Sequence, residues 1–263
     1  MSVLLERLDD GVVLLTLDDP PRMNAMTADM GDALSARCDE LREDTSVRVV
    51  VVTGASPAFS AGGDLGMLED LARRTRDSGF DATDTMISFY RRFLTIRELP
   101  VPVIAAINGH AIGAGLCVAL ACDLRILGSA AKVGLNFSQL GLHPGMAGTW
   151  LLPRIVGQQR AAELLYTGRI ITGEVATGYG LALEHVANDE VLPRALELAS
   201  EIAAASPVVV RQLRETLRNT ETDDIEATLE REGAAQSISY GTRDLEEGLD
   251  AARSRRRPVF PGH

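Results

Sequence analysis

The chain has 263 residues, one large domain or two modest ones by length, and enough to bury a substantial core without disulfides or a metal. Lys and Arg number 26 against 37 Asp and Glu, a formal charge of −11. That balance excludes a general nucleic-acid binder or a basic membrane-surface protein and leaves any anionic ligand to be held by local features. Apolar residues at 46% and charged ones at 24% exclude wholesale disorder, and aromatics at 4% leave the core to Ala, Val, Leu, Ile and Gly.

In chain order, residues 3–7 and 12–18 read as two strands around Asp9-Asp10-Gly11, a hairpin signal, with Pro20 and Pro21 ending the second. Thr27 is placed to cap a helix running to about Arg42, with Met30, Ala33, Leu34, Cys38 and Leu41 on one stripe. Val47–Thr53 is a β-branched run, apolar enough for a central strand. A Gly- and Ser-rich turn spans 54–63, then a short helical stretch 65–71, then a polar segment 72–84 that reads as a mobile surface region. A helix over about 85–97 precedes Pro100-Val101-Pro102 and a strand at 103–107.

Val103–Cys122 holds 20 residues with only Asn108 and His110 clearly polar, so hydropathy alone would make it a membrane-span candidate. Gly109, Gly113 and Gly115 break it into a buried strand, a turn and a buried helix. Short strands follow at 123–127 and 132–135, then a loop over 141–148 and helices at 149–156 and 158–166. From Leu192 onward the pattern is helical throughout: 192–205, 207–219, 223–239 and 242–253. The whole reads as α/β, a core over 1–191 with an appended helical region over 192–263. The three cysteines form neither a disulfide framework nor a metal pattern, and no HExxH, GxSxG or clustered His or Cys occurs. No metal is therefore expected, and a reducing, cytoplasmic setting is the simplest one; the acidic N-terminus lacks a signal-peptide layout.

Two glycine turns carry the chemistry. Ala58-Phe59-Ser60-Ala61-Gly62-Gly63-Asp64-Leu65 and Asn108-Gly109-His110-Ala111-Ile112-Gly113-Ala114-Gly115 each follow a buried strand and open a helix. Small residues let a ligand approach the backbone, and N–H groups at a helix start can donate to developing negative charge. Neither is a dinucleotide fingerprint or a P-loop. Two such turns can converge two peptide N–H groups on one oxygen, as an enolate or oxyanion requires.

With FSAGGDL, PVIAAINGHAIGAGLCVALACDLRI, LGLHPGMAGTWLLPRIVG, AAELLYTGR and the ending EEGLDAARSRRRPVF, the chain resembles the crotonase superfamily, the enoyl-CoA hydratase/isomerase family, over nearly its whole length. The resemblance implies a spiral of ββα units and a C-terminal helical region that builds trimers or dimers of trimers. It implies an acyl-CoA thioester as substrate, CoA being part of that substrate and no separate cofactor needed. It assigns the backbone N–H groups of Gly63 and Ala114 to an oxyanion hole. Asp64, Leu65 and Gly66 would line the thioester and pantetheine channel, and Arg22 and Met23, beside Ala61, would lie near the CoA nucleotide.

Hydratases of this family use two glutamates, and the resemblance carries them onto Cys117 and Phe137, neither a carboxylate. Hydration needs a positioned water, a base and an acid. His143, with an unperturbed pKa of roughly 6.5, and Tyr240 on the C-terminal helices are the candidate replacements. His110 reads as a packing residue, Cys117 as a small buried one, and Glu69 and Asp70 as solvated. The basic run Arg253–Pro258 would either reach CoA phosphates or lie solvated. The expected function is an acyl-CoA enzyme of the hydratase/isomerase type. The alternatives are other enolate chemistry, namely thioester hydrolysis, decarboxylation or C–C cleavage, and a non-catalytic acyl-CoA binder.

Overall fold

The computed structural model describes residues 2–220 and 222–263. The hairpin forms as expected: β1 (Ser2–Arg7) and β2 (Val12–Asp18) pair antiparallel, Leu5 opposite Leu15, around a turn with Asp10 and Gly11 at positive φ. Helix α1 (Ala28–Glu43) begins where Thr27 accepts the Met30 N–H at 3.2 Å. Its stripe of Met30, Leu34, Cys38 and Leu41 is buried.

Three times the chain then repeats one path: a long strand, a three-residue strand, a helix. β3 (Val49–Gly54), β4 (Ala58–Ser60) and α2 (Leu65–Ser78) make the first unit. After α3 (Thr83–Leu94) come β5 (Val103–Ile107), β6 (His110–Ile112) and α4 (Ala114–Ala121). The third unit is β7 (Leu124–Gly128), β8 (Lys132–Gly134) and α5 (Gly148–Val156), with a 3-10 turn at 136–140. α6 (Gln158–Thr167), β9 (Ile171–Thr172), α7 (Gly173–Gly178) and β10 (Glu184–Val186) complete the core, with β9 to β10 lying in a stretch the sequence pattern left unread.

One sheet has six strands in the order β1-β2-β3-β5-β7-β10, parallel from β2 onward; the second has the order β4-β6-β8-β9. Val50 and Val52 face α1 and α3, while Val49, Val51 and Ile104 face α8 (Val191–Ala203), whose Ala195, Ala199 and Ala203 let it lie close. Covered on both faces, β3 and β5 read as continuous apolar runs. The remaining helices, α9 (Pro207–Asn219), α10 (Ile225–Tyr240) and α11 (Arg243–Ser254), form an outlying layer.

One expectation is corrected and another is borne out. The segment 72–84 is exposed, but α2 continues through it to Ser78, where Gly79 at φ 65° caps the helix end. Asp70 pairs with Arg73 and with Arg74, so polar side chains support a helix that binary patterning reads as loop. The 20-residue apolar run is divided among β5, β6 and an eight-residue α4, and no described helix is long and apolar enough to cross a membrane.

Candidate active site

β4 and β6 lie side by side and parallel, each ending in a glycine turn that opens a helix. The turns touch through their backbones. A Cβ on Gly62, at φ 98°, would stand 2.6 Å from the Ile112 carbonyl oxygen, and one on Gly115 would stand 2.6 Å from the Ser60 side chain. Only glycine permits this approach. Gly113, at φ 52° and ψ −120°, turns the chain into α4 and donates its N–H to the Gly134 carbonyl. The residue that follows each of these glycines, Gly63 in one turn and Ala114 in the other, lines the same cavity. Among the described hydrogen bonds, neither the Gly63 nor the Ala114 amide meets an acceptor within the chain, as befits groups at a helix start.

Both amides border a cavity of about 560 Å³. Part of its lining carries two charged side chains, Arg22 and Asp64, among Ala61, Leu65 and Gly66. Arg22 is held by Asp19 at 2.7 Å, and Asp64 caps α2 by accepting the Met67 N–H at 2.8 Å. Met23 does not line the cavity, but its carbonyl accepts the Ala61 N–H at 2.9 Å. That corner depends on Asn24, a buried residue the sequence reading missed; its side chain donates to the carbonyls of Ala55 and Ala58, both at 2.7 Å.

The other wall is mostly apolar, with Phe137, Leu140, Leu142, Met146, Met86 and Phe89. His143 stands exposed at this wall, its Nδ1 donating to the Pro144 carbonyl at 2.8 Å, which leaves Nε2 as the free ring position. Met146 and Ala147 both adopt left-handed φ, an arrangement that costs side-chain-bearing residues energy and often accompanies ligand sites.

Three of the groups singled out in the sequence lie off the cavity lining. Cys117 lies wholly buried one turn beyond Ala114, outside the cavity lining, its Sγ 3.6 Å from the Gly145 carbonyl; burial pushes the thiol up to about 12. It is a packing residue, with no thiolate to offer near neutrality. Tyr240 ends α10 with 72% of its surface exposed and does not line its own chain's cavity, because α10 packs on α9 and α11 rather than on the spiral. Arg256 of the terminal run is held by Glu247 and Asp250 at 2.6–2.7 Å, which pulls the Glu247 carboxyl down to about 2. His110 packs as expected, its Nδ1 accepting the Lys132 N–H. The reading also missed Tyr90 and Asn136, both of which line the cavity. For Tyr90 the available signal was a hydroxyl on the apolar stripe Met86-Phe89-Phe93 of α3.

The family model described as enoyl-CoA hydratase/isomerase matches residues 7–263. This chain belongs to the enoyl-CoA hydratase/isomerase family. It is 37% identical over 263 residues to the Bacillus subtilis protein YngF, named as an enoyl-CoA hydratase/isomerase, covering 99% of this chain and 98% of that one. It is 32% identical to the 1,2-epoxyphenylacetyl-CoA isomerase of Escherichia coli, covering 100% of this chain and 99% of that one. A solved enoyl-CoA hydratase from Bacillus anthracis superposes with a TM-score of 0.91 at 34% identity, over 100% of both chains. The fold is thus that of the family, and the chain is an acyl-CoA enzyme of the enoyl-CoA hydratase/isomerase type.

Proposed function

We propose that an acyl-CoA thioester occupies the cavity between the two glycine turns, with its carbonyl oxygen accepting from the Gly63 and Ala114 N–H groups. The observation that carries this reading is the pairing of β4 with β6, which delivers two amides without intrachain acceptors to one cavity. Donors fixed before the reaction stabilise the charge that develops on the thioester oxygen, and such a donor is typically worth roughly 10²- to 10³-fold in rate. The α-carbon is acidified and the β-carbon opened to attack. Arg22, Ala61, Asp64, Leu65 and Gly66 would border the CoA side, with Met23 positioning Ala61, and Phe137 the acyl side.

With Cys117 and Phe137 at the positions of the two family glutamates, the acid–base groups of this site are not a carboxylate pair. His143, with Nε2 free at the apolar wall, is the titratable ring we assign to proton transfer. Exposed Leu213, Leu217, Ile225, Leu229 and Ile238 on α9 and α10 support trimer assembly through the helical region after residue 191. A reducing, cytoplasmic setting is supported by three buried free cysteines.

Calorimetry with a saturated acyl-CoA, alongside loss of the conjugated thioester of a trans-2-enoyl-CoA, tests the assignment. Binding is expected, with any turnover abolished by His143→Ala. No thioester binding would sink the oxyanion-hole reading, and hydration that survives His143→Ala would remove that residue from the chemistry.

A further inference from the structure

A backbone N–H belongs to a planar trans peptide whose carbonyl points the opposite way, so whatever holds that carbonyl also aims the N–H. For Ala114 the carbonyl is that of Gly113, and it accepts the Cys117 N–H at 3.1 Å, inside the first turn of the helix that Ala114 opens. For Gly63 it is that of Gly62, and it accepts the Met26 N–H at 2.8 Å, from a distant segment of the chain. Met26 also bridges Gly63 in parallel, and the Met23 carbonyl accepts the Ala61 N–H at 2.9 Å. One amide is thus aimed by its own helix, the other by residues 23–26.

Residues 23–26 belong to no helix or extended strand, and Met23 and Asn24 both take left-handed φ, 52° and 56°. What fixes them is the Asn24 side chain, which is fully buried. Its Oδ1 accepts the Asp19 N–H at 2.9 Å, and its Nδ2 donates to the Ala55 and Ala58 carbonyls at 2.7 Å each. The amide fits only this way round, since turning it over would set Oδ1 against two carbonyl oxygens. Ala55 and Ala58 bracket the turn into β4, so Asn24 ties residues 23–26 to the strand that ends at Gly62-Gly63. Asn24 itself does not line the cavity, and any effect it has on a ligand passes through Met26.

We propose that Asn24 is the positioning residue of the Gly63 donor: it holds residues 23–26 so that the Met26 N–H fixes the Gly62–Gly63 peptide with its own N–H toward the ligand. This assignment rests on the oxyanion-hole reading above. The same bond strengthens Gly63 as a donor, because a carbonyl that accepts a hydrogen bond polarises the N–H of its peptide. Loss of the Asn24 side chain loosens this donor and leaves Ala114, aimed by α4, as it was.

The test reads the thioester carbonyl directly. Butyryl-CoA, isotope-labelled at that carbon, is bound to the wild type, Asn24→Gly and Leu34→Ala, and its C=O stretch is recorded by difference infrared spectroscopy, with the Tm and the calorimetric affinity of each protein. Glycine accepts the left-handed φ at 24, so that variant loses the side chain without backbone strain. Leu34→Ala hollows the core under α1, off the cavity, and reports general loss of stability. The stretch is expected to move to lower frequency in the wild type and in Leu34→Ala alike. In Asn24→Gly it is expected to move roughly half as far, with affinity roughly two- to tenfold weaker. If Asn24→Gly does not fold, Asn24→Asp takes its place with the same expectation: it keeps the acceptor for the Asp19 N–H but, as a carboxylate, offers the Ala55 and Ala58 carbonyls no proton. A full shift in the Asn24 variant, or an equal loss in Leu34→Ala, overturns the role of Asn24 alone. No binding to the wild type, or binding without a shift, overturns the oxyanion-hole reading and this one with it.

Discussion

The turn at Gly62-Gly63 opens α2, a 14-residue helix exposed along most of its length and started by the Asp64 side-chain cap. The turn at Gly113 opens α4, eight residues all buried, with no side-chain cap at all. One donor is thus held by a local hydrogen bond at the rim, the other by core packing from every side. A site built from one of each has a donor whose position depends on global stability and a donor that can be loosened without unfolding the protein.

Ala114→Pro breaks the buried side most sharply. Ala114 is the first residue of α4, where proline's fixed φ is compatible with a helix and its missing N–H removes only the donor. Turnover of any accepted thioester is expected to fall by roughly 10²- to 10³-fold with the far-ultraviolet circular dichroism preserved; unchanged kcat/KM would remove Ala114 from the site.

Gly115→Ala attacks the contact between the turns instead. Its methyl would meet Ser60 at 2.6 Å, so chemical denaturation should show a loss of about 1–3 kcal/mol, with weaker thioester binding as the turns separate. Stability equal to wild type would mean the turns are not locked together as described.

Asp64→Ala loosens the rim side. Loss of the cap is expected to cost about 1 kcal/mol and to raise hydrogen exchange in the first turn of α2, leaving α4 as protected as before. Exchange rising equally in both helices would erase the contrast between them.

The smallest effect concerns the buried thiol on α4. Cys117 is raised from 9.0 to about 12 in the folded protein, so only the unfolded chain ionises between those values. Its contribution is fully present below pH 9 and is lost as pH rises toward 12. The fall in Tm between pH 8 and pH 9.5 should therefore be smaller in Cys117→Ala than in the wild type, by an amount corresponding to about 0.8 kcal/mol. An identical fall in both would show the thiol to be solvated.

Much of the fold was legible because its signals are local. Asp10-Gly11 between two apolar runs, Thr27 before a helical stripe, and Gly109 with Gly113 interrupting an apolar run each announce a backbone event within a few residues. The strands β4 and β6, of three residues each, carry no periodicity and exist because they pair with one another. The extension of α2 past Leu71 was hidden for a different reason: its polar residues bury almost nothing, and the helix relies on i,i+3 and i,i+4 pairs. Of the cavity-lining residues, Gly63, Ala114, Arg22 and Phe137 were singled out through motif and resemblance, whereas Tyr90 and Asn136 lie on elements that reach the cavity only after folding.

The sequence by itself determined where the backbone must turn and which stretches must be buried, since glycine's freedom at positive φ and the period of apolar residues are properties of short segments. It also determined that no carboxylate stands at 117 or 137. Tertiary structure alone decided that the two turns would touch, that Cys117 would lie beneath the cavity and Tyr240 outside it, and that the Tyr90 hydroxyl would reach Gly145. Such outcomes join residues dozens of positions apart through sheet pairing and helix packing, which no window along the chain contains.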